Sequence, residues 1–547
     1  MKKIVLWTMA ALMAAALLTG CALSGKDTPV TEDQANQFDF GTLPTVGINW
    51  DVMNGEDEEE PTEYVPQLPE EIVPVKSYGV NTTTDVVAGD MDAVRYVMIY
   101  NPDVYDEDYP YLSTGLSTGN LGMQVEVDLN KGGLENPVTY IGADQGKLNE
   151  NVPFDQLGGE GSRSNAMIEP FQVGDTESFY CYDNLSIDNP RILRTFTCRY
   201  AGTNCNIWVA DCEISEEIIL DYGTQFDTYI YPNVTQTFGQ PRFSQYGGKV
   251  NLLYYPMPDG IGGCFSYSDL YAHDEVTMDQ IFSYGLNLDL DILHINGSYT
   301  AYEQMQTFMR STMAHEFQHL ICATNAFETI DMNICPVWIN EAMSGYIEEV
   351  LYPGVKNDEN GGHLDAFRQG ELIRNGQSMY NFSSTATDFG VYGSVYLYAE
   401  YMAGLAGEDV FSNFHSYWRG SYSDTLCDAE ALAEAFPLNV RLAIDDSISY
   451  PDAILFDSFY EEWLSKLTLQ FYLELLSKDD TDPEAFSLVD GRDLLYNQIN
   501  AATIEGGGRI IVALQGDSYT IPADADEGLI YVGLNADFEP VTALIYQ

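Results

Sequence analysis

The chain has 547 residues, of which 84 are Asp or Glu and 23 are Lys or Arg, for a formal net charge of −61. A surface of that sign repels phosphate backbones and anionic headgroups, which argues against nucleic-acid binding and electrostatic membrane docking. The length exceeds what one hydrophobic core supports, and a hydrophobic fraction of 45% excludes a wholly disordered chain, so a multidomain α+β protein is expected.

The N-terminus reads as a processing segment. Lys2 and Lys3 supply a charged region, and Ile4 to Leu18 supply an apolar run of signal-peptide length. The run ends in Leu18-Thr19-Gly20-Cys21, which resembles a bacterial lipobox, so residues 1–20 are expected to be a lipoprotein signal peptide. Cys21 would then be acylated and attach the protein, outside the cytoplasm, to the cell envelope by lipid alone. An ordinary cleaved signal with an incidental cysteine is the alternative. Residues 21–78 are rich in Pro and acids, including the run Glu56-Asp57-Glu58-Glu59-Glu60, and read as an acidic tether.

A β-rich N-terminal domain is expected over residues 79–214, from strand-like runs at Val94–Tyr100, Met123–Val127, Ile192–Tyr200 and Asn206–Ala210. Cys198 and Cys205 flank Ala201-Gly202-Thr203-Asn204, so a hairpin could bring them into a disulfide; buried thiols are the other reading. Helical spacing begins at Glu216–Phe226. Leu286 to Ile292 alternates apolar and polar residues, which predicts a strand with Asn287, Asp289 and Asp291 on one solvated or cation-binding face. Helices are then predicted at Tyr302–Ala323, Val337–Leu351, Ala366–Ile373, Tyr392–Ala403 and Ala453–Leu476, within a second domain spanning 215–478. Strand patterns return at Arg509–Leu514 and Leu529–Leu534, which predicts a small β-rich C-terminal domain over 484–547. The excess acid serves solubility, or a preference for cationic peptides; it could also hold Ca2+, although no EF-hand loop appears.

The chemistry concentrates in His315-Glu316-Phe317-Gln318-His319, set inside a helical pattern. Imidazoles at i and i+4 project from one helix face and suit two corners of a zinc tetrahedron. Glu316 is beside them, placed to act as general base on a metal-activated water. The run Pro336-Val337-Trp338-Ile339-Asn340-Glu341-Ala342-Met343-Ser344 opens a second helix, and Glu341, twenty-two residues beyond His319, can supply a third ligand while leaving one position open. An open three-ligand site is catalytic in type.

HEFQH followed by W-I-N-E-A-M-S resembles the gluzincin metallopeptidases. With HEFQHLI, a Trp-x-Asn-Glu helix and a later Tyr-Gly helix, the chain is most similar to the hyicolysin-like peptidases, over roughly residues 195–405. The resemblance implies a mainly helical zincin-like catalytic domain with a small sheet, one catalytic Zn2+ on His315, His319 and Glu341, Glu316 as base, and secreted endopeptidase activity on proteins or peptides. Thermolysin-like relatives carry an Asp four residues after the third ligand to orient the first histidine, and Gly345 stands there in this chain. Glu348 or a backbone carbonyl could replace it. Tyr392, in Asp388-Phe389-Gly390-Val391-Tyr392-Gly393-Ser394, resembles the tyrosine that stabilises the oxyanion in several gluzincins. A core tyrosine is the competing reading there, and His273, His294, His363 and His415 read as structural or exposed. Two non-enzymatic alternatives accompany this one: a catalytically lapsed surface lipoprotein acting as an adhesin or glycan- or protein-binding module, and a solute-binding lipoprotein, which would need two α/β lobes.

Overall fold

A computed structural model describes residues 94–104, 112–116, 170–183, 191–241, 248–258, 261–270, 290–302, 305–326, 335–352, 376–380, 390–407, 409–418, 427–456, 458–477, 503–513, 518–535 and 544–546, with shorter pieces at 75, 77–78, 80–82, 85–87, 285, 287 and 539–540. The expected signal segment, Cys21, most of the tether, the strand at Met123–Val127, the helix at Ala366–Ile373, and His273 and His363 lie outside these residues.

In chain order the strands are β1 (Val80–Thr82), β2 (Asp85–Val87), β3 (Tyr96–Tyr100), β4 (Leu112–Ser113), β5 (Thr176–Cys181), β6 (Ile192–Ala201), β7 (Cys205–Val209), β8 (Val250–Tyr255), β9 (Gly263–Phe265), β10 (Ile292–Asn296), β11 (Thr503–Ile504), β12 (Arg509–Ala513), β13 (Ser518–Thr520), β14 (Ile530–Leu534) and β15 (Leu544–Tyr546). The α-helices are α1 (Glu216–Gln225), α2 (Tyr231–Phe238), α3 (Gln306–Ala326), α4 (Val337–Leu351), α5 (Gly390–Ala406), α6 (Asp409–Trp418), α7 (Cys427–Ala435), α8 (Leu438–Asp445) and α9 (Phe459–Ser477).

Six strands form the central sheet in the order β5-β6-β7-β8-β10-β9. β7, β8 and β10 run parallel, whereas β9 pairs antiparallel with β10 and β5 and β6 pair antiparallel at the far side. Parallel strands covered on both faces are mostly apolar along their length, and every residue of β7, β8 and β10 is buried. The crossover from β7 to β8 is helical, with α1 and α2 joined by a π turn at Phe226–Ile230. Ser215 caps α1 by accepting from the Ile218 amide at 3.2 Å. Asp227 in the π turn accepts from the Thr203 and Asn204 amides at 2.8 and 2.7 Å, which pins the β6–β7 turn.

α3 lies against β9 and β10, α4 packs on α3, and α5 packs on α4. α3 and α4 are therefore interior elements, and every residue of α4 from Trp338 to Glu348 is buried.

A second sheet has the order β1-β15-β14-β3-β12. Its β3, which lies between β14 and β12, comes from the segment expected to be an N-terminal domain, and both of these antiparallel partners come from the segment expected to be a C-terminal one. Likewise β5, β6 and β7, expected before the division at 214, join β8, β10 and β9 beyond it. Alternation gives this second sheet two faces. Val97, Ile99, Ile510, Val512 and Tyr531 build a small core of their own, while Met98, Tyr100, Ile511 and Val532 join the large one.

Two local expectations need correction. Among the described residues the strand predicted from Leu286 is seen only from Ile292, and Asn287 and Asp291 are buried rather than solvated, while Asp289 lies outside the described residues. Asn287 uses its amide as a surrogate for strand pairing, accepting from the Tyr180 amide at 2.6 Å and donating to the Tyr180 carbonyl at 2.7 Å. Cys198 and Cys205 are free thiols. The register sets Cys198 opposite Trp208, with an irregularity between Cys198 and Tyr200, so the hairpin does not bring the two sulfurs across from each other.

Candidate metal centre

His315, Glu316 and His319 occupy the middle of α3, and the helical repeat turns both imidazoles to the same side, with ring centroids 4.7 Å apart and planes at 86°. On α4, Glu341, Ser344 and Glu348 fall at i, i+3 and i+7 and face α3 together. Nε2 of His315 lies 3.2 Å from Oε2 of Glu341, and Nε2 of His319 lies 3.5 Å from Oε1 of the same carboxylate. One donor atom from each of the three residues lies within 4.8 Å of the other two, and all three side chains are buried.

This donor set fits a metal ion. Bonds of about 2.0–2.2 Å to tetrahedral corners put ligand atoms about 3.3–3.6 Å apart, close to the nitrogen-to-carboxylate separations seen here. Two imidazoles and one carboxylate are also a zinc-type set.

The surrounding contacts fix each ring. Nδ1 of His315 is 3.3 Å from Oε2 of Glu348, so a carboxylate holds the ring edge that faces away from Glu341. Glu348 is thus the acceptor that the glycine at 345 does not supply. Nδ1 of His319 is 3.2 Å from Oγ of Ser344, and Asn340 bonds the same ring. Ser344 in turn reaches Oε1 of Gln318 at 2.8 Å and the Asn340 carbonyl at 2.7 Å, either of which can take its single proton. Ser344 and Gln318 carried no sequence signal beyond their helical spacing from Glu341 and His319.

Burial alone would pull the His315 pKa down, but Glu348 and Glu341 outweigh it and push it up to about 10. Burial holds His319 well below its usual value, and the neighbouring His315 adds to that. The pocket therefore collects one positive charge between two carboxylates, an electrostatic demand that a divalent cation satisfies as well.

No protein-family model matches the chain. Over 261 residues it is 26% identical to the neutral metalloprotease ShpI of Staphylococcus hyicus, a match covering 46% of this chain and 56% of that protein. The chain thus spans about half the length of that relative.

Tyr392 is buried in the first turn of α5, which starts at Gly390, two residues before the start predicted from the sequence. His294 and His415 are buried and hydrogen-bonded. His294 bonds Asp269 at 2.9 Å and Tyr255 at 3.0 Å, and His415 bonds the Phe238 carbonyl at 3.0 Å. No helix among the described residues is long and apolar enough to cross a membrane.

Proposed function

We propose that this protein is a zinc-dependent metallopeptidase of the gluzincin type, anchored to the cell envelope through Cys21, that hydrolyses peptide bonds in extracellular proteins. His315, His319 and Glu341 are its zinc ligands. The observation that carries this reading is the approach of both imidazoles to one carboxylate, at 3.2 and 3.5 Å, in a buried site between two helices. Similarity to a neutral metalloprotease supports the same reading.

Zinc held there would supply Lewis acidity, lowering the pKa of a water molecule and polarising the scissile carbonyl. Glu316, adjacent to His315 and not a ligand, takes the proton of the attacking water and returns it to the leaving nitrogen. Tyr392 donates a hydrogen bond to the oxyanion of the tetrahedral intermediate. The substrate backbone adds to the outer edge of β9, which ends the sheet order and runs past Glu316; an added Cβ at Gly263 would lie 3.3 Å from Cγ of Glu316. Glu348, Ser344 and Asn340 hold the imidazoles in orientation.

Metal analysis of protein purified without added zinc, paired with casein cleavage before and after chelation, tests the proposal. Near-unit zinc, loss of cleavage on chelation and recovery with zinc are expected. Protein that binds no zinc and cleaves nothing would favour a lapsed surface lipoprotein.

A further inference from the structure

Arg509, the first residue of β12, is fully buried, and its Nε, Nη1 and Nη2 meet no hydrogen-bond acceptor among the described residues. A guanidinium does not shed its proton in a protein, so the charge is inside along with its five N–H donors. The Tyr472 ring on α9 lies under it, with its centroid 4.9 Å from Cζ. Burial lowers the pKa of Arg509, and Tyr472 is the opposing influence. Stacking on a neutral ring leaves the donors unsatisfied, which is costly in an interior.

The acceptors close to Arg509 in the chain take other donors, and none of them reaches its three nitrogens. The Gly508 carbonyl takes the Asn101 amide at 3.1 Å, the Gly507 carbonyl takes the Tyr472 hydroxyl at 3.1 Å, and the Glu505 carbonyl takes the Gly508 amide at 2.7 Å. The Glu505 carboxylate, four residues away, accepts from the Ser378 amide at 2.7 Å.

We infer that Arg509 is the receptor of a small monovalent anion of halide or formate size, bound where β12 and β3 of the second sheet meet α9. Such an ion supplies the missing charge and acceptors at a junction between the sheet and the helical layer. This site is independent of the metal centre, so either can fail without the other.

The test is thermal unfolding of the full-length protein in sodium chloride, sodium formate and sodium gluconate at equal ionic strength, with gluconate as the bulky reference anion. Chloride or formate at about a hundred times its Kd should raise the Tm by about 3 °C over gluconate, and the more effective of the two identifies the ion class. Arg509→Met, which keeps the unbranched stem, should lose that difference and melt in gluconate at or above the wild-type temperature. Equal wild-type melting in all three salts, or a difference that persists in R509M, overturns the inference. Should R509M fail to fold, bromide-soaked wild-type crystals decide: an anomalous peak within hydrogen-bonding reach of the guanidinium supports the site, and none refutes it.

Discussion

Glu348 and Glu341 grip His315 from opposite ring edges, Oε2 of the former 3.3 Å from Nδ1 and Oε2 of the latter 3.2 Å from Nε2. A ring held at Nδ1 by a carboxylate presents its other nitrogen in a fixed direction and with raised basicity. Replacing Glu348 by Ala should therefore weaken zinc binding by about 10- to 100-fold while leaving the fold in place. Competitive zinc titration measures this, and an unchanged affinity would show that Glu348 does not orient the ring.

Glu316 should be separable from the ligands. It is buried beside His315 on α3, and substitution by Gln keeps its volume. Hydrolysis by Glu316→Gln should fall at least about 10²-fold, with zinc stoichiometry unchanged. Retained turnover would remove Glu316 from the role of base.

The sequence disclosed this site because its signals are local. His315 and His319 stand at i and i+4, and apolar spacing predicted α4 at Val337–Leu351, the very bounds observed. What stayed hidden depends on residues far apart in the chain. β3 finds its partners more than 400 residues later, in β12 and β14, and no run of β-branched residues announces that. β8, as Val250-Asn251-Leu252-Leu253-Tyr254-Tyr255, is buried on both faces and so lacks the alternation that marks a half-exposed strand. Asn287 looked like a solvated strand residue because nothing nearby revealed that Tyr180 would lie against it.

β9 should prove intolerant of side-chain growth at Gly263. An added Cβ there would lie 2.8 Å from Cγ2 of Thr312, 3.0 Å from the His294 carbonyl and 3.3 Å from Cγ of Glu316. Relieving such overpacking costs about 1–3 kcal/mol and moves the strand relative to α3. Gly263→Ala should lower kcat/KM by up to about 10²-fold with a much smaller loss of melting temperature, since small misplacements of a bound peptide are amplified in rate. Unchanged kinetics would mean that β9 does not position substrate.

The buried cluster around Asp269 makes a pH prediction with a definite sign. His294 lies between Asp269 and Tyr255, with the Tyr182 ring 5.2 Å away and Arg191 on the far side of Asp269 at 2.5 Å. Burial holds the His294 pKa below its ordinary 6.5, although Asp269 pulls it upward. Burial also opposes ionisation of Asp269, but Arg191 and His294 together hold its pKa below the usual value. The pair is therefore a carboxylate accepting from neutral Nε2–H, while Nδ1 accepts from the Tyr255 hydroxyl. Unfolded His294 takes a proton as pH falls through about 6.5, and the folded ring resists until lower pH. Its contribution to stability is constant above that pH and falls below it by up to about 1.4 kcal/mol per pH unit. In His294→Gln this proton is absent, so the wild-type advantage over the variant should narrow between pH 7 and 5. Urea unfolding of both proteins across that range measures it, and a difference independent of pH would mean that His294 is not held neutral by its surroundings.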